Sequence, residues 1–159
     1  MSQWIGFTNQ KLYQCRLLLA QLAEVQSAPP VLQQALEESA LYQLRDAWLS
    51  YLAELGDMVA YRQPVRSLAE LLQHAPMTTG EMRELQQLAD DGFSWLAQML
   101  AAADAQTRPA GLNQPAQVVQ TMDAPVKIAL VATPESPVAG WLLDLTRLID
   151  GQRANRQES

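Results

Sequence analysis

The sequence is poor in the residues that build disulfides, metal sites and most nucleophilic catalytic sites. It contains one cysteine, Cys15, and one histidine, His74, in 159 residues. A lone cysteine cannot form an internal disulfide, and a structural zinc site needs about four ligands. A Ser-His-Asp or Cys-His site would have to use His74 as its base. We therefore predict no catalytic residue, no metal and no cofactor. We interpret His74 as a helix-end residue and Cys15 as a small core residue.

Long apolar runs and glycine-rich phosphate loops are also missing. No segment approaches the roughly 18 uninterrupted apolar residues that cross a bilayer. Residues 1–7 lack the basic start and apolar run of a signal peptide. We therefore expect a cytoplasmic protein with no membrane partner. The 11 basic and 17 acidic residues give a net charge of −6, which disfavours a nucleic-acid binder that relies on positive charge.

Apolar residues recur at alternating spacings of three and four along most of the chain, which indicates helices. The predicted helices cover residues 8–26, 31–62, 67–74, 79–105 and 136–151. Ser67 and the pair Thr78-Thr79 stand where helix caps are expected, each with a glutamate in the following turn. The predicted fold class is mainly α, a bundle of four to five helices. We expect residues 1–151 to form a single helical domain, followed by a frayed polar tail at 152–159.

One region has a different composition. Proline and glycine mark residues 106–117 as a loop. Val118-Val119 and the run from Val126 to Val131 are rich in β-branched side chains. They predict a short extended or β-hairpin element near residues 118–132. Because two strands alone are marginally stable in water, this element must pack on the helices or pair with another chain.

Closely spaced carboxylates could suggest a metal centre. The pairs are Glu37-Glu38, Glu81 with Glu84, and Asp90-Asp91. A dimetal helical bundle also needs Glu-x-x-His motifs, which the sequence lacks, so we interpret these pairs as solvated faces or helix-start charges. Residues 63–106 nevertheless carry a net charge of −4, and this acidic segment could face a basic partner.

The start of the chain is rich in large apolar side chains. Trp4, Ile5 and Phe7 precede the first predicted helix. They could pack onto the bundle as a hydrophobic staple. They could also form an exposed anchor, because aromatic side chains concentrate binding energy at interfaces. We take Trp4, Ile5 and Phe7 as candidate partner-binding residues.

A second group of side chains could line a pocket between helices. Its members are aromatic or polar residues at helical spacing: Tyr42, Arg45, Trp48, Tyr51, Trp95 and Trp141. Aromatic walls around a few polar groups would suit a small ligand. The same spacing is also typical of residues that pack helices together, so both interpretations stay open.

Two resemblances accompany these patterns. Three segments, Trp4–Tyr13, Arg16–Ala20 and Leu36–Leu44, resemble an uncharacterised family of short helical proteins from gammaproteobacteria. This resemblance implies no activity and no site residues. The stretch from Glu37 to Tyr42 more loosely resembles the second helix of HEPN-type four-helix domains, many of which are ribonucleases. Those nucleases carry an arginine followed after four to six residues by histidine. Here seven residues separate Arg66 from His74, which implies a catalytically silent relative.

Taken together, the residues favour a non-enzymatic cytoplasmic protein-interaction or adaptor module with an unknown protein partner. A homodimer formed through an exposed aromatic or acidic surface is one form of it. The alternatives are a small-ligand-binding or enzymatic bundle with an aromatic-lined pocket, and a catalytically silent HEPN-like partner protein.

Overall fold

The computed structural model describes residues 2–109 and 136–158. Its helices are α1 (Gln3–Glu24), α2 (Pro30–Met58), α3 (Leu68–His74), α4 (Gly80–Asp90), α5 (Trp95–Ala105) and α6 (Pro137–Glu158). No β-strand occurs within these described ranges, and the prediction of a mainly helical fold is confirmed. The extended or β-hairpin element predicted near residues 118–132 lies outside the described residues.

The first two helices form an antiparallel hairpin. Ser2 caps α1, since its side chain accepts a hydrogen bond from the Trp4 amide. Proline at the first position of α2 fits the helix because its missing N–H would have no partner there. The side-chain amide of Gln33 donates to the carbonyl oxygens of Gln26 and Ala28, at 2.9 and 2.8 Å. One side chain of α2 therefore satisfies carbonyl groups of the turn that joins the two helices.

The core surrounds the second half of α2. Residues 50–56 are all buried, as expected of a helix that has neighbours on several sides. Helix α6 contacts α1, α2 and α5, while α3 contacts α2 and α4. The largest fully buried side chains come from five helices: Leu44, Trp48, Tyr51, Leu52 and Leu55, then Leu71, Met82 and Leu85, and finally Leu96, Met99, Leu145 and Ile149. Cys15 is also buried in this core, as predicted.

Helix α2 ends in a tight turn at Met58, four residues before the predicted end. The Tyr61 amide donates to the carbonyl oxygen of Gly56 at 2.8 Å, and the Ala60 amide donates to that of Asp57 at 3.1 Å. Ala60 has a φ of 64°, the left-handed conformation that commonly ends a helix.

The predicted start of the first helix was wrong. Helix α1 begins at Gln3 rather than at residue 8, so Trp4, Ile5 and Phe7 lie in its first two turns and do not precede it. Thr8, the first residue of the predicted helix, lies inside α1, and its hydroxyl donates to the Trp4 carbonyl at 2.8 Å.

The single helix predicted over 79–105 is two helices. Helix α4 ends at Asp90, and Ser94 caps α5 by accepting a hydrogen bond from the Ala97 amide at 3.0 Å. The apolar spacing continues across the break because both helices face the same core, and spacing alone therefore hid the break. The described residues accordingly contain six helices where four to five were predicted.

The predicted end of the last helix was also wrong. Helix α6 continues through Gly151 to Glu158, so residues 152–158 are helical and do not form a frayed tail. Gln152 is buried. Its side chain, like that of Arg153, finds polar partners on other helices, which explains why the helix persists.

Candidate functional site

Two exposed aromatic rings and a lysine lie together at the start of α1, and we call Trp4, Phe7 and Lys11 the N-terminal aromatic patch. Trp4 is 39% exposed and Phe7 is 42% exposed. Their ring centroids lie 6.0 Å apart at an interplanar angle of 85°, an edge-to-face arrangement that aromatic pairs favour. The ammonium nitrogen of Lys11 lies 5.3 Å from the Phe7 ring centroid, within the range of a cation–π contact.

The patch rests on a fixed piece of backbone. The hydroxyl oxygens of Thr8 and Ser50 lie 2.8 and 3.2 Å from the carbonyl oxygen of Trp4, and 2.6 Å from each other. Both hydroxyl-bearing residues are buried. Since Ser50 belongs to α2, these contacts hold the start of α1 against the end of α2.

Lys11 extends the patch onto α2. Its ammonium group donates to the side-chain oxygen of Gln43 at 3.0 Å and lies 3.7 Å from a carboxylate oxygen of Asp46. The side chain of Asp46 is 43% exposed. The surface beside the rings therefore carries the Asp46 carboxylate and, less exposed at 18%, the Lys11 side chain.

A buried ion pair connects α2 to α6. Glu54 is 2% exposed, and its two carboxylate oxygens accept from Nε and Nη2 of Arg153 at 3.2 and 2.7 Å. The third nitrogen of the same guanidinium group donates to the side-chain oxygen of Asn9 on α1 at 2.9 Å. One arginine thus joins three helices through paired hydrogen bonds, the strong form of this contact.

A second polar cluster lies one turn away, around Tyr51. The Tyr51 hydroxyl donates to the side-chain oxygen of Gln152 and accepts from Nη1 of Arg156 at 3.2 Å. The Gln152 amide nitrogen lies 3.3 Å from both the Glu81 carbonyl oxygen and a carboxylate oxygen of Glu84. Arg156 also lies 3.7 Å from the Glu81 carboxylate. The cluster therefore ties α6 to both α2 and α4.

The chemistry available to this cluster is limited. Burial raises the pKa of Tyr51 to about 12, against the opposing effect of the Arg156 guanidinium. The hydroxyl therefore keeps its proton at neutral pH and acts as a fixed donor. Because the Tyr51 side chain is fully buried, a substrate in solution could reach it only after α6 moved. The arrangement is better suited to holding α6 against α2 and α4 than to acid–base catalysis.

A cavity of about 710 Å³ opens between α1, α2 and the start of α6. Leu19, Leu22, Ala23 and Ala139 contribute apolar side chains, glutamines contribute amides, and Glu37 contributes a carboxylate. Its size lies within the range of small-molecule sites, and none of the lining residues that the structure describes is aromatic.

Comparison with known proteins gives one match. The model of a protein family described as "Family of unknown function (DUF6586)" matches residues 1–159. The chain belongs to this family. No curated protein and no solved structure matches it. The predicted resemblance to an uncharacterised family is thus confirmed.

The six predicted pocket residues of this DUF6586 chain do not share one environment. Trp48 and Tyr51 are buried in the core. Trp95 and Trp141 are partly buried and pack against the core. Tyr42 is exposed, and Arg45 is half-buried. None of the six lines the cavity between α1, α2 and α6.

The remaining predicted residues of the DUF6586 chain are also placed. Trp4 and Phe7 lie together, whereas Ile5 is half-buried beside them in sequence. His74 ends α3 and stacks against Tyr61, with ring centroids 6.5 Å apart. Within residues 2–109 and 136–158, no three histidine, cysteine or acidic residues cluster in a way that could hold a metal ion. Over the same ranges, no helix combines the length and apolar character needed to cross a membrane.

The sequence of this DUF6586 chain did not predict the Glu54–Arg153 ion pair or the polar cluster around Tyr51. Glu54 carried the one local signal, because it stands between Ala53 and Leu55 within the most apolar part of α2. A charged residue at such a position predicts a buried partner. The partner itself, Arg153, lies in the segment 152–159, which the sequence predicts to be a polar tail.

Proposed function

We propose that the chain is a cytoplasmic protein-interaction module that pairs with a second copy of itself through the N-terminal aromatic patch. The observation that carries this proposal is the exposure of Trp4 and Phe7 on backbone that Thr8 and Ser50 hold in place. Exposed aromatic rings on a rigid helix bind with little loss of conformational entropy. The single cysteine, Cys15, favours a reducing compartment such as the cytoplasm.

A second copy suits the patch because its charges are self-complementary. The Lys11 ammonium group lies over the Phe7 ring, and Asp46 lies beside that ammonium group. A twofold axis through the patch would place Lys11 of each copy against Asp46 of the other. Their contact within one chain is long, at 3.7 Å, and so leaves both groups able to pair across an interface. Two apolar rings at the centre with charges around them match the usual anatomy of an interface.

Charge reversal tests this geometry directly. Lys11→Glu in both copies would place two acidic residues together, and Asp46→Lys would place two lysines together, so each variant alone should be monomeric. An equimolar mixture of the two variants restores both opposite-charge pairs and should dimerise. The measurement is molecular mass by light scattering after size exclusion. Tyr13→Ser, which removes an exposed aromatic residue from another face of α1, is the matched control and should remain dimeric.

A wild-type chain that stays monomeric at high concentration would contradict self-pairing. If the wild type is dimeric and both charge variants also stay dimeric, the interface does not lie at the patch. A mixture that stays monomeric, although the wild type dimerises, would reject the twofold arrangement of Lys11 and Asp46.

A second candidate function is supported by the cavity between α1, α2 and α6, which could take an uncharged apolar small molecule. An apolar fluorescent dye such as N-phenyl-1-naphthylamine is the probe. Ala23→Trp would fill the cavity and should abolish binding, whereas Ala20→Trp, at an exposed position of α1, should not. Equal binding by both variants would reject this candidate.

The interpretation as a catalytically silent HEPN-like partner stays a prediction. It would be supported by copurification of the chain with a dedicated nucleotidyltransferase or toxin. Copurification with neither would count against it.

A further inference from the structure

The turn between α4 and α5 presents a phenylalanine to solvent. Phe93 is 92% exposed, more than any other large apolar side chain in the described ranges. Burial of a phenylalanine side chain normally adds hydrophobic stabilisation to a fold. Phe93 contributes almost none of this, because nearly all of its surface stays in water.

The backbone that carries this side chain is well fixed. The Phe93 amide donates to Oδ1 of Asp91 at 3.0 Å, and the Phe93 carbonyl oxygen accepts from the side-chain amide of Gln98 at 3.2 Å. The next residue, Ser94, is buried, and its hydroxyl donates to the Leu88 carbonyl oxygen at 2.6 Å. Hydrogen bonds therefore hold the turn on both sides of an exposed ring.

The fold itself does not explain a phenylalanine at this position. The hydrogen bonds of the turn use the backbone of residue 93 and the side chains of Asp91, Ser94 and Gln98. A polar residue at position 93 could make the same backbone contacts and would be better hydrated. A rigidly held, exposed aromatic side chain is what a binding anchor requires, since the entropy of ordering the turn is already lost before binding.

The charge around Phe93 is negative. Asp90 and Asp91 precede it, both are exposed, and neither forms an ion pair in the described part of the chain. They belong to the segment 63–106, whose net charge is −4. A surface that complements this turn would combine an apolar pocket for the ring with lysine or arginine at its rim.

We propose that Asp90, Asp91 and Phe93 form a second binding surface, the Phe93 anchor surface, which inserts the Phe93 ring into a basic-rimmed apolar pocket of a different protein. The surface is independent of the N-terminal aromatic patch, because it lies on the turn between α4 and α5. A chain with both surfaces could pair with its own copy and still hold another protein.

The test places the photo-crosslinking residue p-benzoylphenylalanine at position 93 of the full chain in its native cell. The same residue at position 13, another exposed aromatic position, is the matched control. The proposal expects a covalent adduct to one protein from position 93 and not from position 13. The crosslinked peptide of that protein should contain apolar residues and lie beside lysine or arginine.

Three variants of the purified chain then test the chemistry against the protein that crosslinks. Phe93→Ser should weaken binding at least tenfold without lowering the free energy of unfolding, because the ring is not part of the core. The double substitution Asp90→Asn and Asp91→Asn keeps a side-chain oxygen for the Phe93 amide but removes both charges. It should weaken binding and reduce its salt dependence. Tyr13→Ser, at an exposed position outside both surfaces, should leave the binding unchanged.

Several results would overturn the proposal. They are adduct formation no greater at position 93 than at position 13, an adduct to a second copy of this chain, or a crosslinked surface that is acidic. Unchanged affinity of Phe93→Ser would do the same. Because Lys11 and Asp46 are not varied in the crosslinking experiment, failure here and failure of self-pairing are distinguishable.

Discussion

Arg153 of α6 and Glu54 of α2 form a buried ion pair through two hydrogen bonds, although 99 positions separate them in the sequence. Arg153 also reaches Asn9 of α1. Next to it in the sequence, Gln152 contacts Tyr51 and α4. The last two turns of α6 are therefore a structural part of the bundle.

Loss of the arginine should strongly destabilise the fold. Arg153→Met leaves the Glu54 carboxylate buried without its partner, and we expect the free energy of unfolding to fall by about 3 kcal/mol. Urea denaturation measures this change. Arg147→Met on the exposed side of α6 is the matched control, with an expected change within about 0.5 kcal/mol. The double variant Glu54→Met with Arg153→Met should recover part of the loss, and an additive loss would contradict the assigned pairing.

The features that could be predicted from the sequence are those that depend on near neighbours in the chain. Ser67 accepts from the Glu70 amide and Thr79 from the Met82 amide, as the capping patterns indicated. The partners of Glu54 and Tyr51 lie about 100 positions away, and no local pattern indicates such distant contacts. For the same reason, the prediction that the last helix ends at Gly151 was wrong, although glycine often ends a helix. Its tendency to break α6 is outweighed by the buried contacts that follow it.

The residues of the candidate site also divide into those that local sequence indicates and those that depend on distant contacts. The composition of the N-terminus singled out Trp4 and Phe7, which the structure brings together. The spacing of Trp48 and Tyr51 suited both a pocket and a core, and only the packing of α6 and α5 around α2 distinguishes the two. Phe93 lies within the single helix predicted over 79–105, and its exposure follows from the break at 91–94, which spacing did not indicate.

Replacing glycine with alanine should change the free energy of unfolding in opposite directions in α2 and α6. A Cβ at Gly56 would lie 3.0 Å from the Tyr61 carbonyl oxygen and 3.2 Å from Cδ1 of Leu71. The overpacking should exceed the gain in helix propensity, so we expect Gly56→Ala to lower the free energy of unfolding by about 1 kcal/mol. A Cβ at Gly151 meets nothing within 4 Å, so Gly151→Ala should raise it by up to about 1 kcal/mol. Thermal denaturation of both variants checks the signs, and stabilisation by Gly56→Ala would show that the turn after α2 is looser than described.

Replacing Ala60 with glycine should stabilise the fold. Its φ of 64° is costly for a residue with a Cβ. We expect Ala60→Gly to raise the free energy of unfolding by about 0.5 kcal/mol, after the greater entropy of glycine in the unfolded chain is subtracted. Ala154→Gly, at an exposed helical position of α6, should instead lower it by about 1 kcal/mol. Equal losses in the two variants would contradict the left-handed conformation of Ala60.

Stability should decline at alkaline pH. Burial raises the pKa of the Cys15 thiol from 9.0 to about 12, and that of Tyr51 from 10.0 to about 12. The unfolded chain loses the thiol proton above about pH 9 and the phenol proton above about pH 10, in each case before the folded chain does. Each group then lowers the free energy of unfolding by about 1.4 kcal/mol per pH unit until its folded pKa is reached. Urea denaturation between pH 8 and 11 should show a steep decline, and Cys15→Ala should flatten it. An identical decline in that variant would reject the role of the thiol.

The pairing of two copies through Trp4 and Phe7 is tested most directly by sedimentation equilibrium over a range of concentrations. The wild-type chain should show a reversible monomer–dimer equilibrium, and Trp4→Ala with Phe7→Ala should shift it to monomer while leaving the helical content unchanged. A wild-type chain that sediments as a monomer at every concentration, or a double variant that dimerises as strongly as the wild type, would contradict the account.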